Sequence, residues 1–147
     1  YKFNRLSVEI QQFVPLPFMA KNRRLALRGT FEKLDRLSGK QIPFYELSML
    51  GSASTLRGYD QNRFRGKGSL LFNLEYRYPV WDAWDAVLFL DEGQVFDDYQ
   101  DLRLDAFHYS IGAGLRFLSA RGFIARIELG YSKEMIRALF AISPNFK

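Results

Sequence analysis

Hydrophobic and polar positions alternate with a period of two along most of the chain. From residue 70 to 78, Leu70, Phe72, Leu74, Tyr76 and Tyr78 fall on one side, and Leu71, Asn73, Glu75 and Arg77 on the other. That is the alternation of a β-strand with two different faces. It recurs at residues 107–117, where Phe107, Tyr109, Ile111, Ala113, Leu115 and Phe117 oppose His108, Ser110, Gly112, Gly114 and Arg116. It recurs again at 123–131, 5–11 and 24–32, and less strictly at 86–96 and 137–146. The pattern predicts an all-β protein of about seven antiparallel strands. The connections at 15–22, 80–85 and 118–121 are short, that at 97–106 is intermediate, and that at 34–66 is long. Short turns at one end and long loops at the other are the habit of outer-membrane barrels.

The second face decides what the first one meets. It carries Arg5, Glu9, Arg24, Arg28, Glu32, Glu75, Arg77, Asp91, Arg116, Arg126 and Glu128, with both signs present. Such charges can pair across a wet lumen while the Phe, Leu and Tyr rows lie against lipid. Tyr76, Tyr78, Trp81 and Trp84 cluster at a strand end and turn, as an interfacial aromatic girdle would. A soluble sandwich with its aromatic face turned inward satisfies the same periodicity. No apolar run approaches the ~20 residues that a membrane-crossing helix needs.

Composition narrows the chemistry. The 147 residues are 48% hydrophobic, enough for one domain or part of one. The absence of cysteine excludes a disulfide scaffold and Cys-based zinc sites, and a single histidine excludes a His-rich metal centre. The net charge of +5 raises the question of nucleic acid, but basic and acidic residues are interleaved. The densest basic stretch, Arg57, Arg63, Arg65 and Lys67 with Tyr59 and Phe64 between them, reads as a solvated or internally paired loop. Gly112-Ala113-Gly114 lies within a strand and opens no helix, so it is not a nucleotide loop. Asp97-Asp98 and Asp82/Asp85 read as solvated loop acids, and His108 as a satisfied or solvated side chain. No Ser/His/Asp grouping supports catalysis, and no cofactor or metal is implied.

Three segments in order carry a resemblance: Leu56-Arg57-Gly58-Tyr59 following Leu50-Gly51-Ser52, then Asn73-Leu74-Glu75-Tyr76-Arg77-Tyr78-Pro79, then Phe89-Leu90-Asp91-Glu92-Gly93-Gln94-Val95-Phe96. They resemble the carboxy-terminal half of the Omp85 superfamily barrel, the bacterial surface antigen family. Its members include an outer-membrane barrel-assembly insertase, a translocation-and-assembly module and two-partner secretion transporters. The first segment resembles the family's [V/L]-R-G-[F/Y] loop tip and the last its F-x-D-x-G strand motif.

The resemblance implies that residues 1–147 are the C-terminal part of an outer-membrane barrel, with the upstream strands and the periplasmic POTRA repeats lying outside this sequence. The family barrel has roughly sixteen strands, so about nine would precede residue 1. The chain begins at Tyr1 without a Met, which also reads as a mature segment or a piece of something longer. The resemblance further implies that loop 34–66 folds into the lumen and that Arg57 meets Asp91, with Glu75 as a second candidate. The residues agree on chemical grounds. If Leu88, Leu90 and Phe96 face lipid, then Asp91 shares the lumen face with Val87, Phe89, Gly93 and Val95. A lone carboxylate there needs a partner, and a guanidinium binds it as a bidentate fork. Gly93 leaves room for the loop, Gly58 permits a tight or positive-φ turn at the tip, and Tyr59 is expected to pack on the inner wall beside Phe89.

The seam of the family barrel, where first and last strands meet weakly, would fall on residues 137–146, with Phe140, Ile142 and Phe146. The implied partners are outer-membrane lipids, client outer-membrane or secreted proteins, and the missing N-terminal part of the barrel or other copies; no nucleic acid is expected. The alternatives are a passive barrel that anchors a fused passenger such as a patatin-like domain, and a soluble basic β domain that binds nucleic acid.

Overall fold

The computed structural model describes residues 2–17, 22–37, 41–120 and 123–144. Its strands are β1 (Phe3–Pro15), β2 (Arg24–Arg36), β3 (Ser48–Leu50), β4 (Phe64–Gly66), β5 (Gly68–Trp81), β6 (Trp84–Phe96), β7 (His108–Leu118), β8 (Phe123–Tyr131) and β9 (Ile136–Pro144). Seven of them form one antiparallel sheet in the order β1-β2-β5-β6-β7-β8-β9. β3 and β4 form a separate hairpin inside the β2–β5 connection. The sheet is a meander, interrupted only by that connection, and it does not close on itself. The seven alternating segments of the sequence are its seven strands. Several run further than the alternation does, as at Phe3–Pro15, because main-chain pairing continues past the last contrast between faces.

Register keeps the two faces distinct across the sheet. Asn73 lies opposite Asp91, which lies opposite Ser110. Gly112 lies opposite Gly130, and Leu129 opposite Ala138. A one-residue slip anywhere would exchange the faces. One face is bare. Leu6, Val8 and Ile10 on β1, Leu27 on β2, Phe72 on β5, Leu88 and Leu90 on β6, Ile111 and Leu115 on β7, Ile127 and Leu129 on β8 and Ile136, Phe140 and Ile142 on β9 are all exposed on it. A continuous apolar surface of this extent calls for an apolar covering. The opposite face is covered by the β2–β5 connection, and there Leu71, Val87, Phe89, Asp91, Ser110 and Glu128 are buried.

One expectation fails at the sheet end that carries the long loops. Phe96 falls on the bare side by register, yet it is 3% exposed and does not face outward as Leu88 and Leu90 do. The connection after β6 turns back over it. Tyr99 and Phe31 each place a ring centroid 6.1 Å from the Phe96 ring. Lys33 Nζ sits 5.2 Å above that ring and donates a 2.6 Å hydrogen bond to the Asp97 carbonyl. The protein's own loop therefore covers the rim there. At the other end Trp81 is exposed and Trp84 packs 5.1 Å from Phe117, which leaves aromatic rings at the short-turn margin.

Candidate functional site

The β2–β5 connection is built to hold its tip in place. Near its start, Arg5 on β1 donates to the Glu46 carbonyl at 2.7 Å and to its carboxylate at 3.0 Å, and also pairs with Glu32 at 3.3 Å. The β3–β4 hairpin then brings Leu50 opposite Phe64. Leu50, Leu56 and Tyr59 form an apolar cluster with Leu71 of the sheet, and Phe64 and Val95 pack against it. Gly51 takes φ +100°, a conformation strained for any side chain, and a Cβ there would stand 2.3 Å from the Asp60 carbonyl oxygen. The Gly51 N–H donates to Thr55 Oγ1 at 3.0 Å, and Asn62 N–H to the Gly51 carbonyl at 2.7 Å. These bonds close residues 51–62 into a compact turn that presents Leu56, Arg57, Gly58 and Tyr59 to the wall.

Arg57 is the centre of the site. Its Nε donates to Asp91 Oδ2 at 2.9 Å and its Nη2 to Asp91 Oδ1 at 2.6 Å, a bidentate fork. Its backbone N–H adds a third bond to Asp91 Oδ2 at 3.1 Å. Nη1 reaches Glu75 at 2.7 Å and Glu128 at 3.4 Å. The guanidinium carbon lies 3.5 Å from the centroid of the Phe89 ring, a cation–π contact. Asp91 also accepts from Asn73 Nδ2 at 2.8 Å and from Ser110 Oγ at 3.3 Å. Asp91 is fully buried and Arg57 only 3% exposed. Arg116 pairs with Glu75 at 2.7 Å and with Glu128 at 2.9 Å, and Arg77 pairs with Glu75 at 2.8 Å. Three guanidinium groups thus face three carboxylates, which is the condition under which buried charges are tolerated. Burial opposes the Arg57 charge. The Asp91 hydrogen bonds and the charges of Asp91, Glu75 and Glu128 outweigh it and hold the group above the ordinary arginine value.

Small residues make this approach possible. The Phe89 ring lies over Gly112, where a Cβ would stand 2.2 Å from Cζ. At Gly130 a Cβ would stand 2.9 Å from the Arg57 carbonyl carbon and oxygen, and at Gly58 it would stand 2.7 Å from Ser110 Cβ. At Gly93 it would meet Leu50 Cδ1 at 3.0 Å. Tyr59 is buried but packs away from Phe89, edge-on to Phe64 at 5.0 Å and to His108 at 6.0 Å. His108 stacks on Phe64 with centroids 3.9 Å apart.

The tip is also tied to the last hairpin. Ser132 Oγ donates to the Gly58 carbonyl at 2.7 Å, Arg137 Nη1 donates to the Tyr59 carbonyl, and Arg63 pairs with Glu134 at 2.9 Å. Phe140 and Ile142 are not part of this constellation; both project from β9 on the bare face. Phe146 lies outside the described residues.

Sequence reasoning missed Glu128, Ser110, Asn73, Arg116 and Gly130 as site members. Glu128 was legible only as one polar-face charge among several, because its nearness to Arg57 depends on the register of β8 against β7. Among the described residues, no group of three or more His, Cys, Asp or Glu side chains is disposed to hold a metal ion.

The fold is similar to that of BamA from Haemophilus ducreyi lacking POTRA domains 1–3, with a TM-score of 0.76 and 17% sequence identity. The similarity covers 97% of this chain and 35% of that one, so the chain spans about a third of the structure it matches. The model of the Omp85 superfamily domain matches residues 1–137. With nearly the whole sequence matched, and with the three motifs brought together on one wall, the chain belongs to the Omp85 superfamily.

Proposed function

We propose that this chain is the C-terminal part of an outer-membrane β-barrel that inserts or translocates proteins, and that the β2–β5 loop braces the barrel through Arg57. The family of the chain is one of outer-membrane barrels concerned with protein assembly and translocation, and its sheet has the required polarity, apolar outside and ionic inside. The observation that carries the reading is the buried Arg57–Asp91 fork. It joins a loop to a wall strand 34 residues later in the sequence. A buried pair contributes little net stability over an apolar substitute, but losing one partner strands a charge. Such a pair sets one loop position against all others, which is a locking function. The partners under this reading are outer-membrane lipids on the bare face, client outer-membrane or secreted proteins, and further strands of the barrel alongside β1 and β9. In the intact barrel the edge strand β9, with Phe140 and Ile142 outward, would form the seam that pairs with or passes client strands.

The test is charge reversal in the whole barrel-bearing protein. Arg57→Glu and Asp91→Arg, each alone, should abolish client assembly and expose residues 51–66 to protease; the double variant should recover part of both. Single variants with unchanged assembly and unchanged loop protection would end the locking role. A passenger hydrolase domain encoded upstream, in place of POTRA repeats, would favour a carrier.

A further inference from the structure

Beneath the loop tip, on the short-turn side of the Arg57 network, lies a cavity of about 200 Å³ bordered by Arg28, Arg77, Arg116 and Arg126. Arg57 and Glu75 also reach its wall, so five guanidinium groups face one carboxylate. The charges are not evenly committed. Glu75, with Asp91 and Glu128 behind it, balances Arg57, Arg77 and Arg116. Arg28 and Arg126 stand apart. Arg28 Nη1 donates to the Ser54 carbonyl at 3.0 Å, and its Nε lies 3.0 Å from the half-exposed Glu9. Arg126 Nη2 donates to the Ala53 carbonyl at 3.4 Å, and among the described residues it meets no carboxylate within ion-pair distance. A carbonyl accepts a hydrogen bond but brings no counter-charge. Two adjacent loop carbonyls, 53 and 54, thus hold two guanidinium groups at one cavity: Arg28 shares its charge with the half-exposed Glu9, to which its Nη2 also donates at 3.3 Å, while Arg126 meets no carboxylate among the described residues. Ser54 and Gln11 add polar groups to the lining.

From this placement we propose that the cavity is an oxyanion site, taking a carboxylate or phosphate group between Arg28 and Arg126. Planar guanidinium forks match both groups bidentately, and their concave setting raises the local potential above that of scattered surface charges. Two sources supply that chemistry: an acidic side chain of a peptide segment in the lumen, or a free inorganic anion. The site rests on the reading that the covered face is the wet interior of a barrel. Because loop residues 53 and 54 shape it, occupancy would also steady the loop that carries Arg57.

The experiment uses the whole protein in detergent or nanodiscs, with a fluorescent Glu-rich peptide, its Gln-for-Glu counterpart and inorganic phosphate as probes. The Glu peptide should bind and the Gln peptide should not. Arg126→Gln and Arg28→Gln should each weaken binding about tenfold, the loss expected for one charged hydrogen-bonding partner. Arg126→Lys, which keeps the charge, should lose less. Phosphate that displaces the peptide only at much higher concentration points to a peptide source; phosphate binding as tightly as the peptide, with the same dependence on Arg28 and Arg126, points to a free anion. Either result supports the site. Equal binding of Glu and Gln peptides, or wild-type affinity in both Gln variants, overturns it. Heat-modifiable migration of each variant on a gel checks that the barrel is folded. A protein that is monodisperse without detergent would instead overturn the barrel reading itself.

Discussion

Two neighbouring residues of β8 show the contrast between the two faces of the sheet. Glu128 is 1% exposed and Leu129 is 56% exposed. In a water-soluble sheet their environments would be reversed. Here the carboxylate lies under a loop that supplies an arginine, and the leucine stands on the bare side with no cover among the described residues. The lesson is that the covered face buries charges through ionic and hydrogen-bonded matching, beside apolar side chains such as Leu71, Val87 and Phe89. On the bare face, by contrast, hydrophobicity is left to meet the medium.

The contrast can be broken most strongly at its ionic centre. Arg57→Ala leaves Asp91, Glu75 and Glu128 together without their shared cation, and it should cost about 3–5 kcal/mol. The unfolding midpoint of the barrel in urea and protease cutting within residues 51–66 both read this. The bare face is tested next. Leu129→Arg should cost about 2–4 kcal/mol in a bilayer and much less in a polar setting, so comparing the two media identifies the covering. If the cost is the same in both, the bare face does not meet lipid. A steric probe is smaller. Gly130→Ala sets a methyl group 2.9 Å from the Arg57 main chain and should cost about 1–3 kcal/mol, with the loop displaced before the strand. The control is Arg103→Ala, whose pair with Asp105 is two-thirds exposed on both sides; it should change stability by no more than about 0.5 kcal/mol.

Much of the fold was legible because period-two alternation reports a strand and its two environments at once. What escaped was structure without periodicity. The β3–β4 hairpin has only three residues in each strand, too few to alternate, and it hides in what reads as one long loop. Phe96 misled because alternation gives the side of the sheet and not what later folds over it; Tyr99 and Lys33 do so from outside the strand. At the site, Arg57, Asp91 and Glu75 stood out through resemblance and through the need of a lone inward acid for a cation. Glu128, Ser110 and Gly130 depend on the pairing of β7 with β6 and β8, which no local pattern states. Tyr59 was expected beside Phe89, but Arg57 occupies that ring face and Tyr59 turns to Phe64.

The Arg57 turn draws its contacts from Glu75 on β5, Asp91 on β6, Ser110 on β7 through Asp91, and Glu128 and Gly130 on β8. No single strand offers the seat, and a strand paired one position out would turn its acid or glycine to the other face and bring a neighbour such as Leu74, Leu90, Ile127 or Leu129 in its place. Docking of the turn therefore depends on four strands being in register at once, and a misthreaded wall would leave the turn with nowhere to settle.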